Sequence, residues 1–274
     1  MMTQADKGER FRALHARTGA FVIPNPWDAG SARLLEHLGF EALATTSAGF
    51  AFSLGMPDTT VDRETMLRHI SALTSATELP VSGDLERGYG DAPEVAAETI
   101  RLAAEAGLVG GSIEDATTRA DDPIYDIAHA VDRVRAAVEA ARSLPFPFTL
   151  TARAENFLHG RPDLADTIAR LQAYQEAGAD VLYAPGLATP EQIREVVRSV
   201  DRPVNVLMGA QLNLAALTGL GVKRVSTGGA LCRAAFGALL RAGRELRDAG
   251  TFTFLNDAVA HAEINALFAE PKRA

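Results

Sequence analysis

Short apolar, β-prone runs alternate with segments of helical period eight times along this chain, and that alternation restricts the fold more than any other feature. The runs fall at residues 20–24, 41–45, 80–84, 111–114, 148–152, 180–184, 203–207 and 223–227. Helical segments lie at residues 29–38, 63–77, 95–106, 128–142, 163–176, 190–199, 211–217 and 230–248. Around 95–106, Val95, Thr99, Leu102 and Ala106 share one face while Glu94, Glu98, Arg101 and Glu105 stay polar. The phrases HLGF, EAGL, EAGAD and LTGLGV each place a glycine where a helix C′ residue needs positive φ. Asp163 and Thr189-Pro190 read as helix starts. Parallel strands need helical crossovers and cover on both sheet faces, so eight such units predict an α/β fold of the (β/α)8 TIM-barrel type. An open doubly wound sheet fits less well, because Asn25-Pro26-Trp27-Asp28 follows the first strand in place of a glycine-rich dinucleotide fingerprint.

No linker or composition shift divides the chain, so residues 1–274 read as one domain, with the barrel at about 20–249. Beyond it, 251–268 is expected to form an added C-terminal helix with an apolar face that packs under its own barrel. Acidic side chains outnumber basic ones by 35 to 27, giving a net charge of −8, which argues against nucleic acid or an anionic membrane surface as partner. No apolar run approaches the roughly 20 residues that span a bilayer. The opening MMTQADKGERFRALH lacks the apolar core of a signal peptide. Cys232 is the single cysteine, so an intramolecular disulfide is excluded and a cytoplasmic location is expected.

Barrel active sites form where strands end and βα loops begin. The polar residues at those ends include Asn25, Thr45, Thr46, Ser47, Asp84, Glu86, Glu114, Arg153, Glu155, Asn205 and Ser226. A Schiff-base lysine is disfavoured: of the lysines Lys7, Lys223 and Lys272, only Lys223 lies in the barrel, and it opens the eighth strand at the opposite face. Histidine chemistry is thin, because His159 alone falls in a loop at the active end and no histidine shows metal-ligand spacing. Carboxylates remain. Asp84 and Glu86 stand two apart and are expected on one side of the chain; Glu114 ends the next strand and Asp58 closes the loop after the second. Oxygen-only donors favour Mg²⁺ or Mn²⁺. Asp115 and Asp91 read as caps or solvated loop residues. Arg153 at a strand end suits an anionic ligand, with Glu155 as a possible internal partner. The turn Ser226-Thr227-Gly228-Gly229 reads either as an anion cradle or as simple capping.

The segments NPWDAGSARLLEHLGFEALATTSAGFAFSLGMPD, LPVSGDLERGYG, GGSIEDAT, LTARAENF, AYQEAGADVLYAPGL and GVKRVSTGGALCRAAFGA resemble, in order, the isocitrate lyase / phosphoenolpyruvate mutase superfamily, in its phosphoenolpyruvate mutase-like branch. The resemblance runs from about Asn25 to Ala238. It implies a Mg²⁺-assisted barrel that makes or breaks C–C or P–C bonds of 2-oxo or enol acids. Carried over, it makes Asp84 the direct metal ligand, with Asp58, Glu86 and Glu114 holding the metal's waters. Thr45 and the loop Thr46-Ser47-Ala48, with Asp84 and Arg153, would bind substrate, and Asp58, Glu114 and Arg153 would carry catalysis. The resemblance also implies a homo-oligomer, dimer or tetramer, whose C-terminal helix crosses between subunits.

Departures limit the reaction. Residues 116–123 read ATTRADDP, without the cysteine of the lyases or the lysine and asparagine of the mutases and phosphonopyruvate hydrolases. Glu86 stands where aspartate is commoner, and Thr46-Ser47 where a Ser-Gly pair is usual. The expectation is therefore a C–C lyase or decarboxylase acting on a small 2-oxo or 2-hydroxy di- or tricarboxylate. Two alternatives stay open: P–C bond chemistry on a phosphonopyruvate-like substrate, and a non-catalytic 2-oxo acid binding protein.

Overall fold

The computed structural model describes residues 2–209 and 211–269. Eight parallel strands run β1 (Phe21–Ile23), β2 (Leu43–Ala44), β3 (Val81–Asp84), β4 (Gly110–Glu114), β5 (Thr149–Arg153), β6 (Val181–Tyr183), β7 (Val204–Leu207) and β8 (Arg224–Ser226). Their order is β1-β8-β7-β6-β5-β4-β3-β2. The remaining seam between β1 and β2 is bridged where the Ala44 N–H donates to the Pro24 carbonyl at 3.0 Å, so the sheet closes on itself as a (β/α)8 barrel.

The predicted crossovers are present as α2 (Ala29–His37), α4 (Arg63–Ala76), α5 (Pro93–Glu105), α6 (Ile127–Arg142), α7 (Leu164–Glu176), α8 (Pro190–Ser199), α9 (Leu214–Gly219) and α10 (Ala230–Asp248). Asp163 caps α7 by accepting the Asp166 N–H, and Thr189 caps α8 in a reciprocal capping box with Gln192. Helix α9 starts later than the spacing suggests, because Asn213 provides its cap.

Two helices were not foreseen. α1 (Gln4–Ala16) is opened by a capping box between Thr3 and Asp6, and it buries Phe11 and Leu14 against Phe21, Ile23 and Val109 at the N-terminal end of the barrel. α3 (Ser47–Ser53) occupies the stretch expected as a loop, capped by Thr46. The tail also departs from expectation. A short 3₁₀ turn (Thr253–Asn256) and α11 (His261–Ala269) replace the single helix. The turn bonds Glu245 of α10 through the Thr253 and Phe254 N–H groups, and α11 runs beside α2, with the Phe268 ring next to Gly30 and 5.5 Å from the Arg33 guanidinium carbon.

Side-chain alternation sorts the strands into two environments. Leu43, Val81, Ile113 and Leu150, then Leu182, Val204, Val206 and Val225, pack outward against the helices. Each such burial stabilises by roughly 1.5–3 kcal/mol. Most inward positions are polar instead: Ser82, Ser112, Thr151, Asn205, Arg224 and Ser226 are all buried, with Ile23 and Leu207 among the apolar exceptions. Barrel interiors of this type are ordinarily filled by Val, Ile and Leu. Here the interior keeps a cavity of about 220 Å³ that opens at the strand C-termini.

Candidate active site

Asp84, at the end of β3, is the most heavily bonded carboxylate at the mouth of that cavity. Its own N–H donates to Thr45 Oγ1 at 2.8 Å. Its Oδ2 accepts the Ser47 N–H at 3.0 Å and the Ser47 hydroxyl at 2.9 Å, and its Oδ1 accepts Arg153 Nη1–H at 2.8 Å. The unforeseen α3 explains the Ser47 contact. Thr46 Oγ1 caps the Gly49 N–H at 3.1 Å, leaving the first helical N–H pointing at a carboxylate, which the helix start favours. Ala48, the next residue of α3, lines the cavity beside Gly229.

Arg153 ends β5 and faces three carboxylates: Asp84, Glu114 Oε2 at 3.0 Å from Nη2, and Glu155 Oε1 at 2.8 Å from Nε. The Tyr183 ring lies 5.2 Å from its guanidinium carbon. Burial disfavours the arginine's charge, but Glu155, Glu114 and Asp84 outweigh burial and hold it protonated. Burial in turn pushes Glu114 and Glu155 upward, opposed by Arg153.

Asp58 lies on the exposed rim, where its Oδ1 accepts the Thr59 N–H at 2.9 Å and stands 3.5 Å from Ser47 Oγ. Surrounding protein and the Asp84 charge raise its carboxyl above the usual range.

Glu86 corrects the expectation that it shares a side with Asp84. The strand ends at Asp84, and Glu86 takes a left-handed backbone with φ 49°. It lines an adjoining cavity of about 810 Å³ with Glu114, Tyr89 and His159. It is buried, its Oε1 finds no hydrogen-bond partner among the described residues, and burial followed by the charges of Asp84 and Asp58 pushes it up to about 7. Tyr89, also left-handed at φ 62°, has a buried hydroxyl in the same condition.

Other expectations resolve as follows. Asp115 is neither cap nor solvated: it is buried, taking Arg170 Nη1–H at 3.1 Å, the Tyr174 hydroxyl at 2.6 Å and the Glu155 N–H at 2.8 Å. Asp91 is an exposed partner of Arg87. In the turn at 226–229, Asn25 Oδ1 accepts the Thr227 N–H at 2.8 Å and the Gly228 N–H at 2.9 Å, so these two groups are already bonded within the protein. Lys223 bonds the carbonyls of Gly19 and Arg17 at the far end of the barrel. Cys232 is buried, with Sγ 3.5 Å from the Gly49 carbonyl. Residues 116–123 fold back on themselves through the Thr117 N–H to Pro123 carbonyl bond (2.8 Å), and they bring Thr117, Thr118 and Arg119 to the cavity that Glu86 lines. Sequence reasoning missed the barrel-facing Tyr183, Ser82, Ser112 and Arg224. The inward register of their strands was the signal that could have found them.

The donor set suits a hard dication. Apart from the Arg153 guanidinium, which cannot ligate a cation, the charged side chains at the mouth are carboxylates, which are oxygen donors. A carboxylate has about four lone-pair directions, and the bonds to Ser47 and Arg153 occupy three at Asp84. Glu86 adds a buried oxygen with nothing to bond. Among the described residues, no group of three or more His, Cys, Asp or Glu is placed to hold a metal ion directly. An ion here would take one direct carboxylate and keep waters, the habit of Mg²⁺.

Comparison with known proteins agrees with the fold. A family model described as phosphoenolpyruvate phosphomutase matches residues 11–247. A solved structure from Burkholderia cenocepacia J2315, assigned only as a lyase/mutase, superposes with a TM-score of 0.96 at 65% identity, covering 98% of both chains. The 2-methylisocitrate lyase of Shewanella oneidensis is 32% identical over 74% of this chain and 70% of its own length. The oxaloacetate decarboxylase of Bradyrhizobium diazoefficiens is 30% identical over 82% of this chain and 78% of its own. The chain belongs to the phosphoenolpyruvate phosphomutase family, within the isocitrate lyase / phosphoenolpyruvate mutase superfamily.

Proposed function

We propose that this chain is a Mg²⁺- or Mn²⁺-dependent lyase or decarboxylase that cleaves a C–C bond in a small 2-oxo or 2-hydroxy di- or tricarboxylate. The observation that carries the reading is the anionic excess at the barrel mouth. One guanidinium faces Asp84, Glu114 and Glu155, while Asp58 and Glu86 lie within the same field. Asp84 is the direct ligand in this reading, with Asp58, Glu86 and Glu114 around the ion's waters. When bound, the ion supplies a Lewis acid that stabilises enolate charge on a 2-oxo acid.

The protein's own groups do the rest. Ser47 braces Asp84, and with Thr45, Thr46 and Ala48 at the start of α3 it lines the mouth where the substrate carboxylate is seated. Arg153, preset by Glu155, offers its planar fork to the same carboxylate or to the oxyanion. Burial and the neighbouring carboxylates push Glu86 up to about 7 without the ion, so its carboxyl can hold a proton that ion binding would release. Replacing Asp84 by Ala should abolish metal-dependent turnover, and full activity in that variant would refute the assignment. Phosphorus NMR on phosphonopyruvate tests the P–C alternative, because phosphate release would replace C–C cleavage as the reaction. A non-catalytic oxo-acid binder would take up 2-oxoglutarate in calorimetry and turn over nothing across a panel of 2-oxo acids.

A homo-oligomer and a cytoplasmic home belong to the same reading. α10 buries only Cys232, and Leu239, Leu240, Phe252 and Leu255 stand exposed along it and the tail. Light scattering should give a dimer or tetramer, and a monomer at micromolar concentration would remove the idea.

A further inference from the structure

The inner end of the active-site cavity carries a positive charge that the mouth does not use. Arg224 opens β8, and alternation puts it on the same inward face as Ser226, one step deeper in the barrel. It is 5% exposed. Its Nε–H donates to Asn205 Oδ1 and its Nη2–H to Thr151 Oγ1, both at 2.9 Å. Its Nη1 lies 3.3 Å from His15 Nε2. His15 is a neutral partner: Nδ1 is 2.9 Å from the Phe11 carbonyl, which can only accept, so Nδ1 carries the proton and Nε2 accepts.

Arg224 is thus bonded to an amide, a hydroxyl and an imidazole, and no carboxylate pairs with it among the described residues. The other buried arginines are better matched. Arg153 has three carboxylates, Arg170 has Asp115 and Asp166, and Arg133 has the carbonyls of Arg87, Gly90 and Asp91. A guanidinium has five N–H groups, so the bonds to Asn205, Thr151 and His15 leave two unused. Arg224, Asn205 and Ser226 line the same cavity as Asp84, Ser47 and Arg153. That cavity therefore runs from an acid-rich mouth that suits a cation to a cationic floor that suits an anion. Burial lowers the Arg224 pKa to about 10, the direction expected of a cation without a counter-charge.

We propose that Arg224, with Asn205 and Ser226, determines substrate specificity by seating the distal carboxylate of a dicarboxylate whose 2-oxo end is held at the mouth. The inference rests on the functional reading above and deepens it by naming the residues that recognise the second carboxylate. A monocarboxylate of equal length would leave the guanidinium unmatched, and such a buried mismatch is how polar pockets discriminate.

Calorimetry in Mg²⁺ tests it with pairs of equal chain length: 2-oxoglutarate against 2-oxovalerate, and oxaloacetate against 2-oxobutyrate. The wild type should bind each dicarboxylate at least about tenfold tighter than its partner. Arg224→Met should erase that preference while leaving the monocarboxylates within about twofold, and Arg224→Lys should restore part of it. A merely structural brace to α1 would lower thermal stability without changing the ratio. Equal wild-type affinity within the pairs overturns the inference alone, and this readout holds even if Arg224→Met fails to fold. An equal loss for both classes in a folded Arg224→Met overturns it as well. Failure of both dicarboxylates to bind the wild type sinks the functional reading itself, and the inference with it.

Discussion

Two buried arginines, Arg153 and Arg170, stand at neighbouring positions around the barrel mouth, and their surroundings differ in one respect. Around Arg170 the charges are distributed and bonded. Asp166 takes Nε–H at 2.8 Å, Asp115 takes Nη1–H, and the Tyr125 carbonyl, the Tyr174 hydroxyl and the Glu155 N–H complete the set. Around Arg153 three carboxyl groups face one cation, and Glu86 Oε1 is left without a partner among the described residues. The two centres meet at Glu155, whose backbone bonds Asp115 and whose side chain bonds Arg153. A balanced buried pair anchors structure. An unbalanced one, beside an open cavity, is arranged for something that binds. The completed centre fixes the strand end on which the incomplete one is mounted.

The largest test of that contrast is Asp84→Ala, expected to lower metal-dependent kcat/KM on the order of 10³-fold or more in steady-state kinetics. Asp115→Asn should act on stability instead. It leaves Arg170 buried with a weakened partner and should cost about 3–5 kcal/mol in denaturant unfolding while the folded fraction stays active. If Asp115→Asn lost activity without losing stability, the division between the two centres would fail.

Glu86 gives a pH-dependent version. Its carboxyl is raised from 4.5 to about 7 in the folded protein, so the folded state binds more protons across that window. The associated stability is present below the lower value and is lost as pH rises through the upper one, amounting to about 3 kcal/mol. A dication favours the ionised form, so the increase in Tm produced by Mg²⁺ should be larger at pH 8 than at pH 5. Glu86→Gln should flatten that limb of the metal-free protein, and a Mg²⁺ effect independent of pH would argue against Glu86 facing the ion. The smallest effect is expected at Lys223→Met, far from both centres: turnover unchanged and no more than about 1 kcal/mol lost in thermal unfolding.

The sequence made the barrel legible because strand and helix period differ, and Val81, Ile113, Leu150 and Val204 mark the outward rows plainly. It concealed α1 and α3 for local reasons. The first rests on a Thr3–Asp6 capping box and few buried apolar side chains, and the second is one Ser- and Gly-containing stretch of 7 residues. The carboxylates were readable as strand-end residues, but not which cavity each would line. Glu86 left the side of Asp84 through a positive φ that no non-glycine residue advertises. Asn25 took the N–H groups of the 226–229 turn across 202 residues of sequence, a proximity that only the closed barrel creates.

The central claim is that the carboxylates around Arg153 await a divalent cation held directly by Asp84. Calorimetric titration of the protein with Mn²⁺, compared with Asp84→Asn and Asp115→Asn, tests it most directly. Saturable binding of one ion to the wild type and to Asp115→Asn, lost in Asp84→Asn, is the predicted result. Undiminished binding to Asp84→Asn, or no binding to the wild type, would contradict the account.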